Sequence, residues 1–109
     1  MTVRHRLNIK GPALVFLTTA VSGWRPLFLD SRLAGEIILQ LKETLSIFRA
    51  SLVGYVVMPS HIHLLVGLPA IERLSEFMRS FKALSSRRIK SLLSHEEIAI
   101  FCHRGEFNL

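Results

Sequence analysis

The stretch that most constrains the fold of this chain is residues 54–68. Residues 55–58 form an apolar, largely β-branched run, and residues 61–68 form a second apolar run. Pro59 and Ser60, between the two runs, are residue types that favour a turn. Short apolar runs on either side of a turn are typical of paired strands. The stretch is therefore predicted to fold back on itself as a β-hairpin in the middle of the chain.

The second run carries two histidines at alternate positions, His61 and His63. Because successive side chains of a strand point to opposite faces, both imidazoles are expected on one face, with Ile62 on the other. The strand rise places their Cα atoms about 7 Å apart, a spacing at which two imidazoles can converge on one cation. The spacing is also compatible with two surface histidines in ordinary hydrogen bonds, so both interpretations stay open at this point.

The chain on either side of the hairpin has strand and helix patterns of its own. In chain order, these predict a strand at residues 13–21, a helix from Asp30 or Ser31 to about Arg49, a helix over residues 71–93, and a strand at residues 98–101 that could continue to Leu109. With the hairpin, this order is the ferredoxin-like β-α-β-β-α-β arrangement of the α+β class, a four-stranded antiparallel sheet with two helices on one face. We expect one domain, residues 1–109, with the open face of the sheet left for function.

The charge of the chain is strongly positive, with 14 Lys and Arg against 8 Asp and Glu and a formal net charge of +6. Such a balance favours a polyanionic partner, most often nucleic acid. The second predicted helix has an almost purely cationic side between residues 79 and 90, which favours phosphate contact over a merely solvated face. The candidate DNA-binding residues on this helix are Arg79, Lys82, Ser86, Arg87, Arg88 and Lys90.

Two aromatic residues outside the helices have an expected structural role. Trp24 lies in a predicted loop over residues 22–26, where its ring could stack on a nucleobase, although packing over the edge of the core is expected. Tyr55, the only tyrosine, lies in the apolar first strand of the hairpin, and this position indicates a core residue.

Several features bear on the compartment of the protein. The only cysteine, Cys102, cannot form an internal disulfide or a cysteine-rich zinc site, which fits a reducing cytosol. Basic residues before residues 13–21 resemble a secretory signal, but Pro12 breaks the start of the run and residues 21–23 are a poor cleavage site. No segment approaches the ~20 apolar residues that span a bilayer. We therefore expect a cytoplasmic protein with no membrane partner.

Residues 58–66, MPSHIHLLV, closely resemble the MPNHvHLLv signature of the single-tyrosine transposases of the HUH (histidine-hydrophobic-histidine) class. The insertion-sequence transposases and the REP-associated tyrosine transposases belong to this class. The likeness extends outward in the correct order. Residues 15–18 and 25–28 resemble the family's first strand and the start of its first helix, and residues 74–82 and 85–89 resemble its second helix.

This resemblance implies a function as well as the ferredoxin-like fold. His61 and His63 would be ligands for a divalent cation, Mg²⁺ or Mn²⁺ in the family. The substrate would be single-stranded DNA, recognised through a hairpin at the end of the element, and a homodimer is a candidate assembly. In the family reaction a tyrosine attacks the phosphate, forms a 5′-phosphotyrosine link and frees a 3′-hydroxyl, so covalent catalysis is combined with neutralisation of charge by the metal.

The chain departs from the family where the nucleophile should be. The family's tyrosine lies on a helix after the last strand, together with a further polar metal ligand, whereas this chain stops at Leu109. Tyr55 is the one tyrosine available as a catalytic residue, but its place in an apolar strand argues against that role. Ser60 also replaces the asparagine of the signature. The expectation is a transposase-like domain without the C-terminal tyrosine helix, truncated and inactive alone in strand cleavage and transfer.

Two other classes of function compete with this interpretation. A DNA-binding repressor or inhibitor derived from a transposase would bind hairpin ends, or block full-length dimers, without catalysis. An RNA-binding module of the same strand order would stack bases on aromatic residues of its third strand, and residues 61–68 offer none. The repressor is therefore the stronger alternative.

Overall fold

The structure, a computed structural model, describes residues 10–101. In chain order its main elements are strand β1 (Ala13–Ala20), helix α1 (Ser31–Phe48), strands β2 (Ser51–Val57) and β3 (His61–Leu68), and helices α2 (Leu74–Leu92) and α3 (His95–Phe101). Three short 3-10 turns join them, at Ser22–Trp24, Leu27–Leu29 and Ile71–Arg73. The fold is mixed α+β, as expected.

The predicted hairpin is confirmed. β2 and β3 pair antiparallel, and the Met58 amide donates to the His61 carbonyl at 2.8 Å across the Pro59-Ser60 turn. Two further backbone bonds tie the turn to the rest of the chain. The Phe28 amide donates to the Pro59 carbonyl at 2.9 Å, and the Val21 amide donates to the Ser60 carbonyl at 2.8 Å. Because the turn is held from both sides, the start of β3 has a fixed position.

Strand β3 is the central strand of the sheet. β1 pairs with its other side, also antiparallel, so the order is β1-β3-β2. The register places Ala20 opposite His61 and Thr18 opposite His63. Directly opposite residues of an antiparallel pair point to the same face, so these β1 side chains share the face of the histidines.

Both long helices form where the sequence predicts them, and their apolar stripes close the core. The Asp30 side chain accepts a bond from the Arg32 amide at the start of α1, as expected for an N-cap. The core joins alternate residues of β3 to residues of α1 and α2, among them Ile62, Leu64, Val66, Leu33, Ile37, Leu41, Phe77, Phe81 and Ile89. The side of β3 that carries the histidines is only partly buried. Over residues 10–101, no helix is long and apolar enough to cross a membrane.

The prediction of a strand at residues 98–101 is wrong, because these residues end helix α3. Its start is a capping box, in which the Ser94 hydroxyl accepts from the Glu97 amide at 3.2 Å and the Glu97 carboxylate accepts from the Ser94 amide at 3.1 Å. The described part of the chain therefore has three strands rather than four. The ferredoxin-like arrangement is not confirmed, and the predicted continuation of the strand to Leu109 lies outside the described residues.

Candidate metal and nucleic-acid site

The two histidines of β3 lie side by side on the face of the sheet away from the core. The ring centroids of His61 and His63 are 4.8 Å apart, and the two rings meet edge to face at 81°. Both side chains are partly buried, so they are less exposed than surface residues and more exposed than core residues. Strand alternation therefore brings the imidazoles together in the manner that the sequence predicts.

Each imidazole is held by a hydroxyl group at the same ring atom. The Thr18 Oγ1 lies 2.9 Å from Nδ1 of His63, and the Ser60 Oγ lies 3.1 Å from Nδ1 of His61. Thr18 reaches its partner from the neighbouring strand, and Ser60 reaches its partner from the turn. With Nδ1 occupied on both rings, Nε2 is the nitrogen on each that remains for a further ligand.

The pair has the chemistry of a partial metal site. Imidazole nitrogen is a common ligand of divalent transition metals, and its second ring nitrogen usually has a hydrogen-bond partner, as both rings have here. Among residues 10–101, no group of three or more His, Cys, Asp or Glu side chains could hold a metal. Two imidazoles could supply two ligands to a divalent cation, and a site built on them would need further ligands from outside this pair.

Two exposed aromatic rings flank the histidines. The Phe16 ring stacks on His63, with centroids 5.6 Å apart and planes 20° apart, and the Trp24 ring lies 5.2 Å from His61 at a tilt of 60°. The expectation that Trp24 packs over the edge of the core is wrong, because the residue is 62% exposed. It lies instead against the candidate metal site.

Tyr55 lies on the other face of the sheet. Its register partner on β3 is Leu64, a buried core residue, so its side chain is on the side of the helices. It is nevertheless 51% exposed, contrary to the expectation of a core residue, because β2 is an edge strand within the described part of the sheet. There it lines an open depression beside α1, together with Ala34 and Ile38. The structure therefore does not bring Tyr55 together with the histidines.

The six candidate DNA-binding residues on α2 do not share one environment. Arg79, Lys82, Ser86 and Lys90 follow one another at three- and four-residue steps, so they lie along one side of the helix. The described part of the chain contains no salt bridge to any of the three cations in this set, nor to Arg87. These four cations are thus available to an external anion.

Arg88 faces helix α1 instead. Its guanidinium lies 2.9 Å from the Glu43 carboxylate and 3.7 Å from the Glu36 carboxylate. Both carboxylates belong to α1, so Arg88 joins the two long helices. The positive charge of Arg88 is therefore already paired with carboxylates of the same chain.

Sequence reasoning missed Thr18 and Phe16 as parts of this site. Both lie on β1, 45 and 47 residues before His63, and only the pairing of β1 with β3 brings them to the histidines. No local pattern carries that information, because a strand's register is a tertiary property. Ser60 departs from the asparagine of the signature, and that departure does not predict the bond between its hydroxyl group and His61.

Comparisons with known proteins bear on the family and the fold of the chain. The family model for IS200-like transposases matches residues 19–105, which include both histidines and helix α2. The crystal structure of a provisionally assigned transposase from Deinococcus radiodurans R1 matches 97% of this chain and 78% of its own, with a TM-score of 0.70 and 23% sequence identity. At that identity the match shows a common fold. No curated protein matches the sequence. On the extent of the family match, the chain belongs to the family of IS200-like transposases.

Proposed function

We propose that this transposase-family protein binds single-stranded DNA containing a hairpin, and holds a divalent cation, Mg²⁺ or Mn²⁺, at His61 and His63. The observation that carries the proposal is the pair of imidazoles on the open face of the sheet, 4.8 Å apart at their ring centroids. Metal-assisted cleavage and transfer of a DNA strand is the reaction this site would serve. A bound cation would act as a Lewis acid on the phosphate to be cleaved.

The residues around the pair have a positioning role in this proposal. An imidazole can turn about its side-chain bonds, and a ligand that turns binds metal less tightly. The hydroxyl groups of Thr18 and Ser60, each within 3.1 Å of a ring nitrogen, restrict that freedom. In this proposal each hydroxyl accepts a hydrogen bond from the Nδ1–H group, so that Nε2 keeps a free lone pair.

DNA binding is assigned to the cationic side of α2. Arg79, Lys82 and Lys90 have no carboxylate partner within the described residues, so phosphate groups would not have to displace one. Phosphate contacts of this kind give affinity without sequence specificity, and they weaken as salt concentration rises. Ser86, on the same side, and Arg87 are candidates for further phosphate contacts.

Within residues 10–101, no tyrosine lies on the face of the sheet that carries the histidines. Tyr55 is the only tyrosine of the given sequence, and its register partner Leu64 belongs to the core face. A nucleophile must come within hydrogen-bonding reach of the atoms on which it acts. We therefore propose that Tyr55 forms no covalent link to DNA at the histidine pair.

A second candidate function rests on the same placement of Tyr55. A transposase-derived repressor or inhibitor would keep the DNA-binding surface and would not need a tyrosine beside the metal. Both functions require salt-sensitive binding to hairpin DNA, so binding alone does not separate them. Metal-dependent cleavage of the DNA would separate them, because a repressor has no catalytic activity.

The test combines the full chain with a labelled hairpin oligonucleotide and Mn²⁺, followed by denaturation in detergent and electrophoresis. We expect DNA binding before denaturation and no covalent adduct after it. An adduct that is lost in Tyr55→Phe would contradict the assignment of Tyr55 to the core face.

Metal-dependent cleavage without an adduct, lost in His61→Ala, would support a metal site that activates water and would contradict the repressor. His95→Ala is the matched control, since His95 is an exposed histidine on α3. Absence of any binding to hairpin DNA would contradict both functions.

A further inference from the structure

Four rings lie in a row on the open face of the sheet. In order they are Trp24, His61, His63 and Phe16, with successive centroid distances of 5.2, 4.8 and 5.6 Å. The two histidines occupy the middle, and the two aromatic residues occupy the ends. The end rings come from different elements, since Phe16 is on β1 and Trp24 closes the turn Ser22–Trp24.

The two aromatic rings at the ends of the row, Phe16 and Trp24, are largely exposed to solvent, so they are not core residues. Phe16 is 66% exposed and Trp24 is 62% exposed. Single exposed hydrophobic residues are common on protein surfaces. These two differ because each has an imidazole on one side and solvent on the other, and because together they bracket a candidate cation site.

The backbone also holds Trp24 in an unfavourable conformation. Its φ is +56°, in the left-handed region that L-residues rarely occupy, and Gly23 before it has a φ of +73°. A hydrogen bond from the Trp24 amide to the Val21 carbonyl, at 2.9 Å, holds the turn in place. Strained backbone that is retained in this way is found most often at binding sites.

We propose that Phe16 and Trp24 are a stacking platform for two unpaired nucleobases, one on each side of the phosphate at the histidine pair. The inference rests on the proposed function and deepens it, because it assigns the surface that receives the bases. In a nucleic-acid strand each phosphate has a base on either side, and here the histidine pair has a ring on either side. Aromatic rings bind unpaired bases through their faces, with little dependence on sequence.

Charge around the platform favours a polyanion over an apolar peptide. Arg25 directly follows Trp24, is exposed, and has no salt bridge within residues 10–101. The formal net charge of the whole chain is +6. Arg25 is therefore placed to contact a phosphate of the strand whose base stacks on Trp24.

The experiment uses the full chain and two oligonucleotides of equal length, each with a hairpin and a single-stranded tail. One tail carries normal bases throughout, and the other tail is abasic throughout. Trp24 is the only tryptophan, so quenching of its fluorescence reports stacking at this position directly. We expect quenching by the normal strand, and an affinity for the abasic strand that is lower by roughly five- to a hundredfold.

Variants locate the effect on the two rings. Phe16→Leu and Trp24→Leu keep an apolar side chain but remove the ring, and anisotropy of a labelled strand measures their affinity. Each is expected to lower the affinity for the normal strand by roughly five- to a hundredfold and to leave the affinity for the abasic strand unchanged. Leu14→Ala is the matched control, since Leu14 is equally exposed on the same face of β1 and lies outside the row. It should bind both strands as the wild type does.

The outcomes separate the inference from the proposed function. If the wild type binds neither strand, both are overturned. If it binds both strands equally and the two variants behave like the wild type, stacking is overturned and DNA binding stands. If Phe16→Leu instead disrupts self-association, measured by sedimentation, without changing DNA affinity, the face belongs to a second copy of the chain and the inference is overturned.

Discussion

The two faces of strand β3 differ in what covers them. Ile62, Leu64 and Val66 are at most 1% exposed beneath the helices, whereas His61 and His63 on the other face are only partly buried. One strand of eight residues thus contributes alternately to the core and to the candidate site. The contrast teaches that the core and the candidate site are built from neighbouring residues of one strand, so single substitutions should affect one without the other.

Among substitutions on β3, those of residues on the core face should lower the free energy of unfolding most. Leu64→Ala removes a side chain that is 1% exposed, so it should lower the free energy of unfolding by about 2–5 kcal/mol, since it creates a cavity as well as losing buried area. Leu65→Ala, one residue along and on the open face, should cost clearly less. Denaturant unfolding of both variants measures the difference. Equal losses would contradict the division of β3 into two faces.

The next largest effect concerns the hydroxyl beside His63. Thr18→Val keeps the shape of the side chain but removes the bond to Nδ1, so metal affinity should fall by about 10- to 100-fold. Thr18→Ser keeps a hydroxyl and should restore most of the affinity. Titration calorimetry with Mn²⁺ measures the affinity. ¹⁵N spectra of the imidazoles report whether the ring proton of His63 still prefers Nδ1 over Nε2. A Thr18→Ser variant as weak as Thr18→Val would assign Thr18 a packing role only.

The smallest expected effect comes from a similar contrast on helix α2. Lys82 has no salt bridge within the described residues, whereas Arg88 bridges to Glu36 and Glu43 on α1. Lys82→Ala should reduce the slope of log affinity for DNA against log salt concentration by about 1, with stability unchanged. Arg88→Ala should instead cost up to about 1 kcal/mol of stability, because partly exposed ion pairs contribute little. A reversed pattern would show that the two cations have exchanged roles.

The elements with a clear period were predictable from the sequence. The hairpin follows from two apolar runs and a Pro-Ser turn, and α1 and α2 follow from apolar residues at three- and four-residue steps. The structure of residues 98–101 was not predictable in this way, because a short apolar run fits a strand and a helix equally well. The capping box formed by Ser94 and Glu97 was the signal that favours the helix, and it lies just before the run.

The candidate site was predictable only in part, for a physical reason. His61 and His63 belong to one strand, so alternation alone places them on one face. Thr18 and Phe16 reach them through the pairing of β1 with β3, which depends on tertiary contacts. The position of Trp24 depends on a backbone conformation that its residue type does not favour. The resemblance of residues 58–66 to a transposase signature gave the transposase family correctly, and the roles of individual residues stay predictions.

The central proposal is that His61 and His63 hold one divalent cation, and the most direct measurement is a Mn²⁺ titration of the full chain with isotope-labelled histidine. The chain has five histidines, so three of them serve as internal controls. Paramagnetic Mn²⁺ broadens the NMR signals of nearby nuclei. We expect the imidazole signals of His61 and His63 to broaden together at low Mn²⁺ while the signal of His95 stays sharp. Equal broadening of all five histidines, or earlier broadening of His95, would contradict a cation site on the open face of β3.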